Sequence, residues 1–167
     1  MIKLLDYRVH PKELSTPGKL IDLTDISSQL FKNNIAEMKT ILAKDGVGLA
    51  ATQVGWSVQL FMLCINEVGE TVEPQIFVNP KIKKWSTHRI KMEEGCLSAP
   101  GLWLKLARPS EVVWTYTDLA GKRHEKHSTG FYARAVQHEI DHLNGRMFLT
   151  RATPAQKLRV KKWLQSI

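Results

Sequence analysis

The sequence predicts an α+β domain: mostly antiparallel strands packed around a central helix, with a helix near the N-terminus and a short one at the C-terminus. Three observations carry this. Helical spacing of apolar residues appears early, from about Ser27 to Lys44, and again after Thr129. Between these stretches lie short runs rich in β-branched and aromatic residues, separated by turn signals. A helix, a run of strands and a helix set into them is the α+β pattern. At 167 residues the chain has the length of one domain, residues 1–167, and is long enough to bury a full core.

Taken in order, residues 1–20 read as irregular, with turns at Pro11 and Pro17-Gly18. The first helix starts at a cap supplied by Asp25 or Ser27. It carries Leu30, Ile35, Met38, Ile41 and Leu42, and ends at Asp45-Gly46. Gly46-Val47-Gly48 then reads as a helix end followed by small residues, and its two glycines would also let a ligand approach the backbone closely. Val58 to Ile65 is a buried strand, with Cys64 as a core residue. Gln75 to Asn79 and Lys81 to Trp85 are two short strands kept apart by Pro80. Leu102 to Ala107, Glu111 to Asp118 and Lys122 to Ser128 are further strands. The last two form a hairpin that feeds the central helix, for which Asn144-Gly145 is the stop signal. Pro154 opens the C-terminal helix, with Leu158, Trp163 and Leu164 as its contacts. No internal repeat or low-complexity segment interrupts this order.

The longest apolar run, Leu60 to Ile65, is far short of a membrane span, so no membrane partner is expected. The first residues carry Lys3, Asp6 and Arg8 without a long apolar stretch, which does not read as a signal peptide. Two cysteines make no disulfide framework, and a reducing, cytoplasmic setting suits a thiolate ligand. The net charge is +8, yet six cations and no acidic side chain follow His142, leaving +2 for everything before it. The basic surplus is thus C-terminal and fits either a phosphate-rich partner or a solvated helix.

The chemistry centres on His138-Glu139-Ile140-Asp141-His142. Residues four apart share one helix face, so His138 and His142 can grip one metal ion. Glu139 lies beside that face, placed to handle protons on a metal-bound water. A catalytic site of this kind takes three protein ligands and leaves one position open. No Asp, Glu, His or Cys follows His142, so the third ligand lies upstream. His10 is in the irregular start, and His88, His124 and His127 sit among lysines and arginines. Cys96 stands in a glycine-rich turn after two glutamates and is the best candidate. A thiolate with two imidazoles completes such a site and suits zinc, iron(II), nickel or cobalt. Asp141 is also expected to pair with Arg108, tying the helix to the strand after the cysteine turn.

Three ordered segments, Gly46-Val47-Gly48-Leu49-Ala50-Ala51-Thr52-Gln53, Glu94-Gly95-Cys96-Leu97-Ser98 and Gln137-His138-Glu139-Ile140-Asp141-His142, resemble the signature motifs of peptide deformylases. That family removes the formyl group from the formyl-methionine that begins nascent chains. The resemblance implies Cys96, His138 and His142 as ligands of one divalent metal, Fe(2+) in the cell with Zn(2+) often replacing it. It implies Glu139 as general acid/base, and the Gln53 side chain and Leu97 N–H as oxyanion donors. Backbone groups around Val47 and Gly48 would pair with the peptide as an added strand. Val47, Trp103, Phe131 and Ala135 are the expected lining of the methionine pocket. Lys157, Arg159, Lys161 and Lys162 would hold the C-terminal helix against ribosomal RNA, as in some bacterial members. The chain departs from some bacterial members at Trp103, where they carry arginine, and Trp56 follows the first motif with no assigned role. Two rival readings of the same residues are another amidase or protease, and a metal-stabilised RNA-binding module without catalysis.

Overall fold

The computed structural model describes residues 2–166. In chain order its elements are α1 (Pro11–Leu14), α2 (Gln29–Asp45), β1 (Gly48–Ala50), β2 (Leu60–Ile65), β3 (Thr71–Trp85), β4 (Arg89–Glu94), β5 (Leu104–Pro109), β6 (Glu111–Thr117), β7 (Arg123–Thr129), α3 (Gly130–Leu143) and α4 (Pro154–Leu164). Five strands form one antiparallel sheet in the order β1-β2-β3-β6-β7, while β4 and β5 pair apart as a hairpin.

The unbroken apolar run of β2 follows from burial on both faces. Successive side chains of a strand point to opposite sides. Phe61, Leu63 and Ile65 join a core with Trp114 and with Ala133, Val136 and Ile140 of α3. Leu60 and Met62 face the other way, against Phe31, Met38 and Leu42 of α2. The sheet therefore lies between two helices. A third apolar cluster joins Leu104 and Leu106 of β5 to Phe148, Val160 and Trp163 near the C-terminus. The central helix, α3, is buried nearly throughout. It meets the sheet through apolar side chains, but meets the β4–β5 hairpin through polar ones. Arg134 donates to Ile90 O at 2.5 Å and Leu106 O at 3.2 Å, and Gln137 donates to Pro109 O at 3.0 Å.

Several local expectations change. Neither Asp25 nor Ser27 caps α2. Ser28 does, its Oγ accepting from Phe31 N–H at 3.2 Å, because a separate 3-10 turn occupies Leu23–Ser27 and is capped by Asp22. Pro80 does not divide β3 into two strands. A register shift between Val78 and Lys81 absorbs the missing N–H. There Asn79 adopts φ 49°, with its side-chain amide bonded to both Ile21 N–H (2.8 Å) and Ile21 O (2.9 Å). The N-terminal stretch contains the short α1, and β1 and β4 are strands where none was expected. On α4, Val160 and Trp163 are buried while Leu158 and Leu164 are exposed. Asn144-Gly145 ends α3 as expected. Gly145 has φ +67°, and a Cβ there would come within 2.7 Å of the Ser15 carbonyl carbon. No helix among the described residues is long and apolar enough to cross a membrane.

Candidate metal centre

Helix α3 delivers His138 and His142 one turn apart, with ring centroids 4.8 Å from each other and Nε2 atoms 3.2 Å apart. The turn after β4 brings in Cys96, whose Sγ lies 3.2 Å from His142 Nε2. One ligand atom from each of the three residues falls within 4.8 Å of the others. The His138 tautomer is set from behind. Nδ1 lies 3.2 Å from Glu94 Oε2, and a carboxylate only accepts, so Nδ1 carries the hydrogen and Nε2 the lone pair. Bonds of about 2.0–2.3 Å to nitrogen and sulfur in a tetrahedral site require donors roughly 3.3–3.6 Å apart. The two spacings to His142 Nε2, both 3.2 Å, fit that to within a few tenths of an ångström. One thiolate and two imidazoles match late divalent metals by donor type as well.

Behind the ligands lies a buried set of charges. Arg108 donates to both Glu94 oxygens, at 2.7 and 2.8 Å, and to Asp141 Oδ2 at 2.6 Å. The expected Asp141–Arg108 pair is therefore present. Arg151 holds Asp141 from the other side at 2.7 and 2.9 Å, and Arg134 also contacts Glu94. Burial alone would raise the Glu94 pKa, but the His138 ring and the Arg108 guanidinium overcome it and hold the carboxyl well below its ordinary range. At His138 burial works against protonation, yet Cys96 and Glu94 push its pKa up to about 10. A proton and a metal cation compete for the same Nε2 lone pair, so surroundings that attract one attract the other. His142 moves the opposite way, chiefly through burial and then the nearby charge of His138. Glu139 is raised to about 7, mainly by burial, although His138 and Arg108 oppose it. Its Oε2 is buried without a hydrogen-bond partner among the described residues.

A cleft of about 650 Å³ opens over this centre. Its walls contain Val47, Gly48, Trp103, Phe131 and Ala135 together with Gln53, Cys96, Leu97, His138 and Glu139. Every residue expected at the site thus reaches one cavity except His142, which is buried beneath it. Val47, Trp103 and Phe131 are about half exposed and give the mouth an apolar rim. Gln53 is oriented by its own backbone neighbourhood. Its Oε1 accepts from Ala50 N–H at 2.9 Å, so Nε2 must face Ser98 Oγ (3.2 Å) and Cys96 Sγ (3.4 Å), donor side toward the centre. Gly48 is required by space. A Cβ there would collide with the Glu139 carboxylate and stand 2.8 Å from Leu63 Cδ2. Since β1 ends its sheet, one side of its backbone faces no strand. Sequence reasoning gave no role to Glu94, Ser98 or Arg134. The signal available for Glu94 was its place two residues before Cys96. Arg134 lies one helical turn before His138.

An α+β fold with a two-histidine helix, a cysteine from a neighbouring turn and a buried glutamate at an open cleft defines a metal-dependent hydrolase. A family model described as polypeptide deformylase matches residues 7–158. A peptide deformylase of Prochlorococcus marinus (strain MIT 9515) is 35% identical over 148 residues, covering 89% of this chain and 72% of that one. Arabidopsis thaliana peptide deformylase 1B in complex with an inhibitor superposes with TM-score 0.86 at 34% identity, over 98% of this chain and 88% of that one. The Plasmodium falciparum peptide deformylase complex with inhibitor gives TM-score 0.84 at 32% identity, over 98% and 97%. The chain belongs to the peptide deformylase family. Its activity is the metal-dependent hydrolytic removal of the formyl group from the N-terminus of nascent polypeptides.

Proposed function

We propose that Cys96, His138 and His142 hold one divalent ion per chain, Fe(2+) in the cell, with Zn(2+), Ni(2+) or Co(2+) able to take its place in purified protein. The convergence of these three donors beside an unpartnered Glu139 oxygen is the observation that supports this most directly. When bound, such an ion acts as a Lewis acid that makes water a competent nucleophile near neutral pH.

The remaining steps belong to side chains and backbone. Glu139, with its pKa near 7, takes the proton of the attacking water and passes it to the leaving amine nitrogen. Gln53 Nε2 and the Leu97 N–H donate to the formyl oxygen as negative charge grows on it. The open edge of β1 at Val47 and Gly48 aligns the peptide as an added strand. Val47, Trp103, Phe131 and Ala135 receive the methionine side chain. Trp103 also packs over Gly95, where a Cβ would sit 3.0 Å from the indole, so the cysteine turn and the pocket rim are shaped together. Residues 1–167 act as one catalytic domain, and the chain works in the cytoplasm.

The deciding experiment compares a formyl-methionyl peptide with its acetyl counterpart. A large preference for the formyl substrate is expected, and comparable rates would contradict the reading. Gln53→Leu should lower kcat by roughly 100- to 1,000-fold with little change in KM, as for loss of one oxyanion donor. Protein purified without oxygen should contain iron and lose activity in air, since both Fe(2+) and the Cys96 thiolate oxidise. Full activity after aerobic incubation of the iron form would count against iron.

On α4 the exposed Lys157, Arg159, Lys161 and Lys162 surround the buried Val160 and Trp163, leaving the cations outward for contact with ribosomal RNA. Reversing these charges should weaken co-sedimentation with ribosomes. Binding that does not change would refute that contact.

A further inference from the structure

One feature that deformylation leaves unused is a second groove, about 720 Å³ in volume, on the side of α3 away from the catalytic cleft. Phe131, Arg134, Ala135, His138 and Glu139 face the cleft, whereas Gln137, Ile140, Asp141 and Asn144 face the groove. Its opposite wall comes from β3 and from the β6–β7 end of the sheet.

The groove is strongly basic. Lys81, Arg123 and Arg146 line it with exposed side chains and make no salt bridge among the described residues. Arg108 and Arg151 also reach it, but both are bound to Asp141, the one acidic residue in its lining among the described residues. Asp141 spends both oxygens on those two arginines and leaves no negative charge to offset the other three cations. Trp85 lies along the same wall and is 57% exposed, and the half-buried ring of Tyr116 lies nearby. Free cations that can track a phosphate backbone beside an aromatic surface that can stack a base form the arrangement used by proteins that bind single-stranded nucleic acid.

We infer that this groove binds single-stranded RNA, with Lys81, Arg123 and Arg146 on phosphates and Trp85 stacked on a base. The site is separate from α4 and from the catalytic cleft, so it adds a second contact to RNA independent of the C-terminal helix. It does not depend on which residues carry out the deformylation.

The test is fluorescence anisotropy of an end-labelled oligouridylate of about 12 nucleotides with the intact, metal-loaded protein. Three phosphate contacts on a single strand predict a slope of log K against log salt near roughly −2. Lys81→Glu, Arg123→Glu and Arg146→Glu combined should weaken binding at least about tenfold and flatten that slope. Trp85→Ala should weaken binding about 5- to 150-fold at every salt concentration without altering the slope. Deformylation of a formyl-methionyl peptide should stay unchanged in both variants. If the triple variant loses deformylation, and therefore its fold, Lys81→Gln and Arg146→Gln are measured singly; each should reduce the slope by about one phosphate's worth. Binding unaffected by these changes, or abolished only by charge reversal on α4, overturns the proposal. So does equal binding of a poly-aspartate peptide that is insensitive to Trp85→Ala, which would mark a general acidic-protein surface.

Discussion

Glu139→Ala is expected to lower kcat/KM on a formyl-methionyl peptide by about 100- to 10,000-fold, while metal content stays at one ion per chain. The carboxylate is no part of the Cys96–His138–His142 donor set, so its loss should spare the ion and remove the proton carrier. Retained turnover, or loss of metal together with turnover, would contradict the role given to it. The sign of the pH dependence follows from the same group. Glu139 must be ionised to accept a proton, so kcat/KM rises with pH through its titration. Burial sets that pKa near 7, and positive charge at the neighbouring centre favours the ionised form, which places the acid limb at or below about 7. Glu139→Gln should remove that limb from the residual rate.

Arg108→Ala should destabilise the fold by about 3–5 kcal/mol, because it removes the buried cation shared by Glu94 and Asp141 and leaves each carboxylate with a single arginine, Arg134 or Arg151. For a chain of this length that corresponds to a fall in Tm of roughly 6–20 °C. Arg108→Lys should recover only part of it, since an ammonium cannot reproduce the fork that meets both Glu94 oxygens. The pH dependence again has a definite sign. The folded Glu94 pKa lies below its unfolded value, so its contribution is complete above the unfolded carboxylate range and is lost as pH falls through the folded pKa. The gap in Tm between wild type and Arg108→Ala should therefore narrow below about pH 4. Thermal denaturation at several pH values checks this, and a gap that is constant or widens in acid would refute it.

How much of this was legible in the sequence depended on how local each feature is. His138, Glu139 and His142 could be read directly, since their relation needs only one helical turn. Cys96 could be reached by elimination because nothing after His142 could ligate. Gln53, Leu97 and the pocket residues needed the resemblance, because their meeting in space depends on sheet order rather than spacing. Strand β4 was missed because Arg89, Lys91 and Glu93 make it look solvated, and its inner face becomes apparent only once β5 is its partner. The three-residue β1 was too short to show alternation, and the unity of β3 depends on a bulge that no propensity indicates. The buried ionic set was hardest. Arg108 and Arg134 look like surface residues in one dimension, and only the crossing of α3 over the β4–β5 hairpin buries them against Glu94.

That crossing also constrains how the family can drift. Glu94, Arg108, Arg134 and Asp141 come from three separate elements, and exchanging any one of them for a neutral residue strips a buried partner of part of its compensation. Single-step replacement passes through a less stable chain, so linked changes are favoured. The four should accordingly be inherited as a block, kept together where the hairpin crosses the helix and lost together where it does not. The outward cations of α4 carry no such mutual debt and are free to vary one at a time.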